Sequence, residues 1–346
     1  MKKFGRYFRV LIFLGLGLFL LWWITRGQDI DQIMLEFRRA NYFWILLAMI
    51  AGVISHYLRA LRWNIMIRSM GFKVTAGSTF HAVMSGYLAN LVVPRLGEVS
   101  KCAVLSKSKG IPFNSLAGTM VAERFVDMLT LMLLIFFTIV FQFSFLKGFL
   151  NDFFFDPLME RGASNLAIIF LIVAISGVIA LLLVLMLRKK LRKSEPGTFS
   201  HKLYRQARGF SNGIKTLWRM KMKGWFVLYS LLIWFFYFLT AYLCFFSIEA
   251  TSYLSPLAGI TLLAVGSLGI VAPVPGGIGT YHFITIATLT QLYGIASEPA
   301  TSYAYLTHAM QMLVIIGTSG VLWLLFSFRK TSRHQEESEP QSQHLS

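Results

Sequence analysis

Apolar residues run in long blocks along most of this chain, and the blocks are too long for the strands or amphipathic helices of a water-soluble core. Residues 9–25, 42–62, 113–143, 164–187, 225–248 and 303–328 are each, as helices, about long enough to cross a hydrocarbon layer of ~30 Å. Two further apolar segments carry breakers where a span would continue. Residues 76–93 run into Val93-Pro94-Arg95-Leu96-Gly97-Glu98, and residues 256–295 are interrupted by Ala272-Pro273-Val274-Pro275-Gly276-Gly277-Ile278-Gly279. Both predict interrupted helices, because proline removes a helical N–H, and broken backbone survives at membrane depth only where protein or water covers it.

The placement of basic residues orients these elements. The segment from Arg188 to Lys223 holds twelve Lys or Arg with only Glu195 opposing them, which marks it as cytoplasmic. With both termini on that side, residues 76–93 must enter and leave from the cytoplasm, and residues 256–295 must enter and leave from outside. The expected architecture is an all-α polytopic membrane protein with about six full spans and two re-entrant helical hairpins. Its two units, about 42–143 and 225–328, have opposite orientations, the inverted repeat of many transporters. The spans form one domain over residues 1–330, with a basic cytoplasmic loop at 188–224. Asp29 to Tyr42 and Phe145 to Ser164 read as interfacial helices, and the polar tail 331–346 reads as disordered.

Hydrophobic residues make up 56% of the 346 positions and aromatic ones 15%, in keeping with an integral membrane protein. The formal net charge of +18 would suggest a nucleic-acid partner in a soluble protein. Here the charge lies between apolar spans, so anionic lipids of the inner leaflet are the expected partners and nucleic acid is not. The two cysteines, Cys102 and Cys244, suggest neither a metal cluster nor a disulfide framework. The basic N-terminus and the apolar run after it resemble a secretory signal. Thr25-Arg26-Gly27-Gln28 lacks small-residue cleavage chemistry, however, so a retained first helix is expected.

Candidate chemistry lies where charge meets the apolar runs. Glu123, Arg124 and Asp127 fall near the middle of the 113–143 span, with the carboxylates four apart and so on one helix face. They read either as an ion-pair network locking helices together or as part of a binding site. At the first break, Arg95 and Glu98 follow Asn90 and precede Lys101. A guanidinium there suits a phosphate or carboxylate, unless the Arg–Glu pair only closes the loop. The second break offers Pro275, Gly276, Gly277 and Gly279 with His282 just beyond, and its glycines let backbone approach a ligand. His282 can titrate near neutral pH, although a lone intramembrane histidine is commonly a helix contact. Arg59 and Arg62-Trp63 read as anchors at the cytoplasmic interface, with headgroup contact as the lesser alternative. No Walker loop, His-Glu-x-x-His or Gly-x-Ser-x-Gly is present, so no cofactor, metal site or catalytic residue is assigned.

In this order and spacing, Arg59…Arg62-Trp63, Asn90…Pro94-Arg95…Gly97-Glu98, Glu123-Arg124…Asp127 and Pro275-Gly276-Gly277-Ile278-Gly279 resemble the flippase-like family. That family includes the transmembrane region of lysylphosphatidylglycerol synthases. The resemblance spans most of residues 8–328. It implies a multi-pass protein of the bacterial inner membrane that moves a lipid between leaflets, in the best-known members an aminoacylated phosphatidylglycerol. Two departures matter. The chain ends at Ser346 without a soluble aminoacyl-transferase domain, so synthesis of the lipid is not expected of it. Many relatives carry glutamate shortly after the Gly-Gly-x-Gly turn, where His282 stands here.

The expected function is transport of an anionic or aminoacylated phospholipid, or a lipid-linked headgroup, with Arg95 and Arg124 holding the headgroup. A homodimer is possible. The alternatives are an intramembrane enzyme acting on a lipid or polyprenyl phosphate, and a membrane partner of a glycosyltransferase or lipid synthase.

Overall fold

The computed structural model describes residues 15, 17–23, 25–142, 220–271 and 274–338, the side chains of 268–271 and 328–338 excepted. The expected span 164–187, the interfacial segment after Phe145 and most of the basic loop lie outside them, as does much of the first span. Every regular element among the described residues is helical. In chain order these are α1 (Ile30–Arg39), α2 (Tyr42–Ser69), α3 (Ala76–Val92), α4 (Leu96–Lys109), α5 (Phe113–Phe141), α6 (Lys223–Phe245), α7 (Pro256–Val271), α8 (Thr280–Ala287) and α9 (Ser297–Ser338). Four of them, α2, α5, α6 and α9, are long and apolar enough to cross a membrane. The chain is a multi-pass all-α membrane protein.

Local chemistry sets the ends. Asp29 caps α1 by accepting from Gln32 N–H, Asn41 caps α2 through Phe43 N–H, and Thr75 caps α3 through Ser78 N–H. Gly110, left-handed at φ 66°, closes α4 with its N–H on Ser106 O. The last helix continues through polar residues to Ser338, so the tail read as disordered from residue 331 is helical over its first eight positions. Strong helix formers such as Lys330, Gln335, Glu336 and Glu337 explain the extension.

Both interrupted segments fold as helical hairpins. The arms α3 and α4 pack on each other, with seventeen and fourteen residues. At ~1.5 Å per residue neither crosses ~30 Å. Gly86 and Gly97 let the arms touch: a Cβ on Gly86 would lie 2.7 Å from Gly97 O. In the second hairpin α7 leads through the 3₁₀ turn Pro275–Gly277 into α8, which packs back against it. Helical residues 17–23 cross this turn so closely that a Cβ on Gly17 would lie 2.6 Å from Ile278 O.

Contacts made by the first unit recur in the second. Helix α2 packs on α3 as α6 does on α7, and α4 on α5 as α8 on α9. Each closing span also leans on the other unit's hairpin, α5 on α7 and α9 on α3, while α2 and α6 pack against each other. The hairpin turns meet: α3 touches the Pro275–Gly277 turn, and a Cβ on Gly276 would lie 3.5 Å from Leu91 Cδ2.

Helix α5 reverses the polarity of a soluble helix. Phe125, Met128, Met132, Leu133 and Phe136 are exposed, whereas Glu123 and Asp127 are buried. That is the arrangement expected when the surrounding solvent is lipid and the charges face protein.

Candidate headgroup site

The helix α2 extends to Ser69, about two turns past the boundary expected at residue 62, so Arg59 and Arg62 lie well inside it. Three residues apart, they share a face of α2. The carboxylates of Glu123 and Asp127 share a face of α5, and the two faces meet. Arg59 Nη1 reaches Glu123 Oε1 at 3.1 Å and Asp127 Oδ2 at 2.8 Å. Arg62 Nη2 reaches the same two side chains at 3.2 and 2.7 Å. The third cation, Lys101 of α4, places Nζ 2.6 Å from Glu123 Oε2.

Neutral groups complete the network. Arg59 Nε donates to Tyr237 Oη (3.2 Å), which lies 3.5 Å from Tyr87 Oη, and Arg62 Nη1 donates to Ser230 Oγ (3.2 Å). Trp63 Nε1 donates to Thr119 Oγ1 (2.9 Å), and the Lys101 ammonium sits 4.6 Å from the Trp63 ring centroid. The cluster therefore ties α2, α4, α5 and α6 together. Buried charges need this degree of mutual satisfaction, since an unpaired one is costly to hold in the interior.

Arg59 and Arg62 are thus not interfacial anchors. They are buried, Arg62 at 0% exposure, because the carboxylates they neutralise are themselves inside. Arg124 differs from its neighbours on α5: its side chain is 44% exposed and contacts Glu98 Oε1 through Nη2 at 3.2 Å. One residue on from Glu123, it points about 100° around the helix from the buried face.

Beside the buried cluster lies a shallow, half-open cleft lined by Arg59, Val83, Gly86, Tyr87, Asn90, Gly97, Glu98, Lys101 and Arg124. Asn90 Oδ1 accepts from Gly97 N–H at 2.6 Å, so this side chain fastens the hairpin as well as lining the cleft. Glu98 Oε2 is buried with no hydrogen-bond partner among the described residues. Arg95 stands apart from the cleft wall at the tip of the turn, exposed and left-handed at φ 62°, with no ion pair among the described residues. Of the residues expected to bind, Asn90, Glu98, Lys101 and Arg124 line this cleft, while Glu123 and Asp127 lie in the buried cluster beside it.

The second break forms a separate cluster. His282 is buried but not alone: its ring centroid is 4.6 Å from that of His308 and 4.7 Å from that of Tyr305. Gly279 N–H donates to His282 Nδ1 (3.3 Å), and His308 Nε2 lies 3.0 Å from Gly276 O. The two histidines thus hold the amide and the carbonyl on either side of the break. Gly276, Gly277 and Gly279 all have positive φ, and Pro275 opens the turn. No group of three or more potential metal ligands occurs among the described residues.

A family model described as the lysylphosphatidylglycerol synthase transmembrane region matches residues 8–318. The chain belongs to this family. It is similar to the UPF0104 membrane protein PH1989 of Pyrococcus horikoshii, with 24% identity over 342 residues, covering 94% of this chain and 97% of that protein. The UPF0104 membrane protein MJ1595 of Methanocaldococcus jannaschii is 27% identical over 101 residues, 28% of this chain and 30% of its own. Glycosyltransferase AglD of Haloferax volcanii is 27% identical over 109 residues, 31% of this chain and 18% of its own. These relatives are archaeal. No solved structure matches the chain significantly.

From sequence, Arg59 and Arg62 look like interfacial anchors, and His308, Tyr87 and Tyr237 belong to no motif. A usable signal existed for the arginines: two cations one turn apart on one span match two carboxylates one turn apart on another.

Proposed function

We propose that this protein moves a lipid between leaflets, taking an anionic or aminoacylated phospholipid, or a lipid-linked headgroup, into the cleft while the tails stay in the bilayer. The observation that supports this reading best is the balance of charge around the cleft. Arg59, Arg62, Lys101 and Arg124 face Glu98, Glu123 and Asp127, four positive groups against three negative. One positive charge is left in excess, and Arg124 is the cation most open to a ligand. An arginine suits a phosphate oxygen pair because its planar fork donates two parallel hydrogen bonds.

Transport on this reading is downhill, or driven by protons or the membrane potential, which acts on any charge that moves. The two units are read as inverted repeats, with their turns meeting near the midplane. Both termini are assigned to the cytoplasmic side of a plasma membrane, on the strength of the basic segments.

The test is a reconstitution. Liposomes containing the purified protein should equilibrate a headgroup-labelled phosphatidylglycerol between leaflets faster than protein-free liposomes. The combined Arg95→Gln and Arg124→Gln variant should lose most of that rate. Equal rates with and without protein would refute the reading. The partial similarity to glycosyltransferase AglD favours a second one, a membrane partner of a glycosyltransferase, which would act only when that enzyme is present.

A further inference from the structure

The cations around the cleft are not held alike. Arg59 and Arg62 each touch two buried carboxylates, and Lys101 holds Glu123 at 2.6 Å. Among the described residues Arg124 has one ion pair, at 3.2 Å, to a carboxylate that is itself 24% exposed. The other oxygen of that carboxylate, Glu98 Oε2, is buried and unpartnered among the described residues, although the amide of Asn90 lines the same cleft. Glu98 is therefore a poorly satisfied anion on the most accessible cation of the site.

We infer that Glu98 is a built-in competitor for the ligand's anionic group. It holds the Arg124 guanidinium until a phosphate or carboxylate of the ligand displaces it. This rests on the reading that the cleft takes an anionic headgroup. Several features carry it. A guanidinium held by a single long contact has most of its donor fork to offer, and a phosphate that engages two N–H groups outcompetes one carboxylate oxygen. Glu98, once displaced, is left with two acceptor oxygens facing the cleft, where hydroxyl or ammonium donors of the headgroup can meet them. Glu98 also lies in the first turn of α4, where the helix N-terminus favours a carboxylate, so its backbone stays fixed beside the cleft while its side chain exchanges partners.

The consequence is an affinity kept low by design of the site. A carrier must release what it binds, and a resident anion that returns to Arg124 assists release. Glu98 sets affinity through Arg124, without being the group that grips the anion.

The experiment is a titration of the purified full chain, in nanodiscs of phosphatidylcholine, with a short-chain phosphatidylglycerol. Short-chain phosphatidylcholine is the control, and binding is read from tryptophan fluorescence. Relative to the parent, Glu98→Gln should bind the anionic lipid about five-fold more tightly, the scale of removing one half-exposed ion pair. Glu98→Asp, with the charge kept but its reach shortened, should tighten binding less, and it keeps the test readable if Glu98→Gln does not fold. Arg124→Gln should bind weakly, and the double variant Glu98→Gln plus Arg124→Gln should bind no better. Equal or weaker binding by Glu98→Gln would overturn the competition while leaving the anionic headgroup intact. Tightening that persists undiminished in the double variant would also overturn it, since the gain would then come from overall charge. Absence of binding in both the parent and folded Glu98→Gln would bring down the anionic headgroup reading as well.

Discussion

Arg62 Nη2 lies 2.7 Å from Asp127 Oδ1, and the arginine side chain is completely buried. The two residues are far apart in sequence, so the pair fixes how α2 packs on α5. Removing Arg62 takes one of its two guanidinium partners from Asp127 and leaves Oδ1 unpaired in the interior, although Arg59 still holds Oδ2. Arg62→Met should destabilise the protein by about 3–5 kcal/mol, the range for breaking a buried pair. The midpoint of unfolding in a denaturing detergent measures this, and an unchanged midpoint would show that the pair holds nothing together.

Arg59 and Arg124 should separate stability from function. Arg59 is buried between two carboxylates, whereas Arg124 is half-exposed with one ion pair among the described residues. Arg124→Gln is expected to cost less than about 1 kcal/mol, as exposed pairs do, while sharply lowering lipid movement in liposomes. Arg59→Gln should lower both. Paired melting and transport measurements decide it, and the reverse pattern would reassign the two arginines.

At Gly97 the hairpin arms leave no room for a side chain, since an added Cβ would run into Gly86 O and the amide of Asn90. Gly97→Ala should cost about 1–3 kcal/mol through overpacking. Gly224, with open space at its Cβ position, is the control and should tolerate alanine. Thermal unfolding that failed to distinguish the two variants would contradict this packing.

Arg95 has φ 62° and ψ 8°, a left-handed conformation that a side chain with Cβ adopts at a cost. Arg95→Gly should raise stability by about 1 kcal/mol. If the guanidinium serves the headgroup, the same substitution slows transport. A variant that is both less stable and equally active would remove any case for strain kept for function.

His308 holds the Gly276 carbonyl at 3.0 Å. His308→Leu should cost about 1–3 kcal/mol by leaving that carbonyl without its donor. His308→Gln, which keeps an N–H donor, should recover part of the loss. Equal melting temperatures for the two variants would mean that the hydrogen bond contributes little.

Much of the fold was legible. The spans expected at 113–143 and 225–248 are found at Phe113–Phe141 and Lys223–Phe245, because apolar length is a local property that the bilayer reads directly. Pro94 and Pro273 to Gly279 marked two hairpins for an equally local reason, the loss of helical hydrogen bonds at those positions. The site was legible in its acidic half. Glu123 and Asp127 stood out as charges inside a span, and both are buried. Its basic half was not: Arg59 near an expected helix end looks the same whether it reaches for lipid headgroups or for a carboxylate sixty-four residues away. His308 was hidden for a similar reason, since its partner carbonyl at Gly276 exists only because the second helix breaks there.

Residue order alone dictated a helical chain immersed in lipid, interrupted twice and carrying charge that had to be compensated somewhere. Which cation meets which carboxylate came from the convergence of α2, α4 and α5. Burial of Glu123 and Asp127 requires compensation, but any of several arginines and lysines satisfies that requirement equally until packing brings Arg59, Arg62 and Lys101 within reach and leaves Arg124 at the cleft. Electrostatic partnership depends on distance in space, and along a chain that folds back on itself such distances are set by every helix at once.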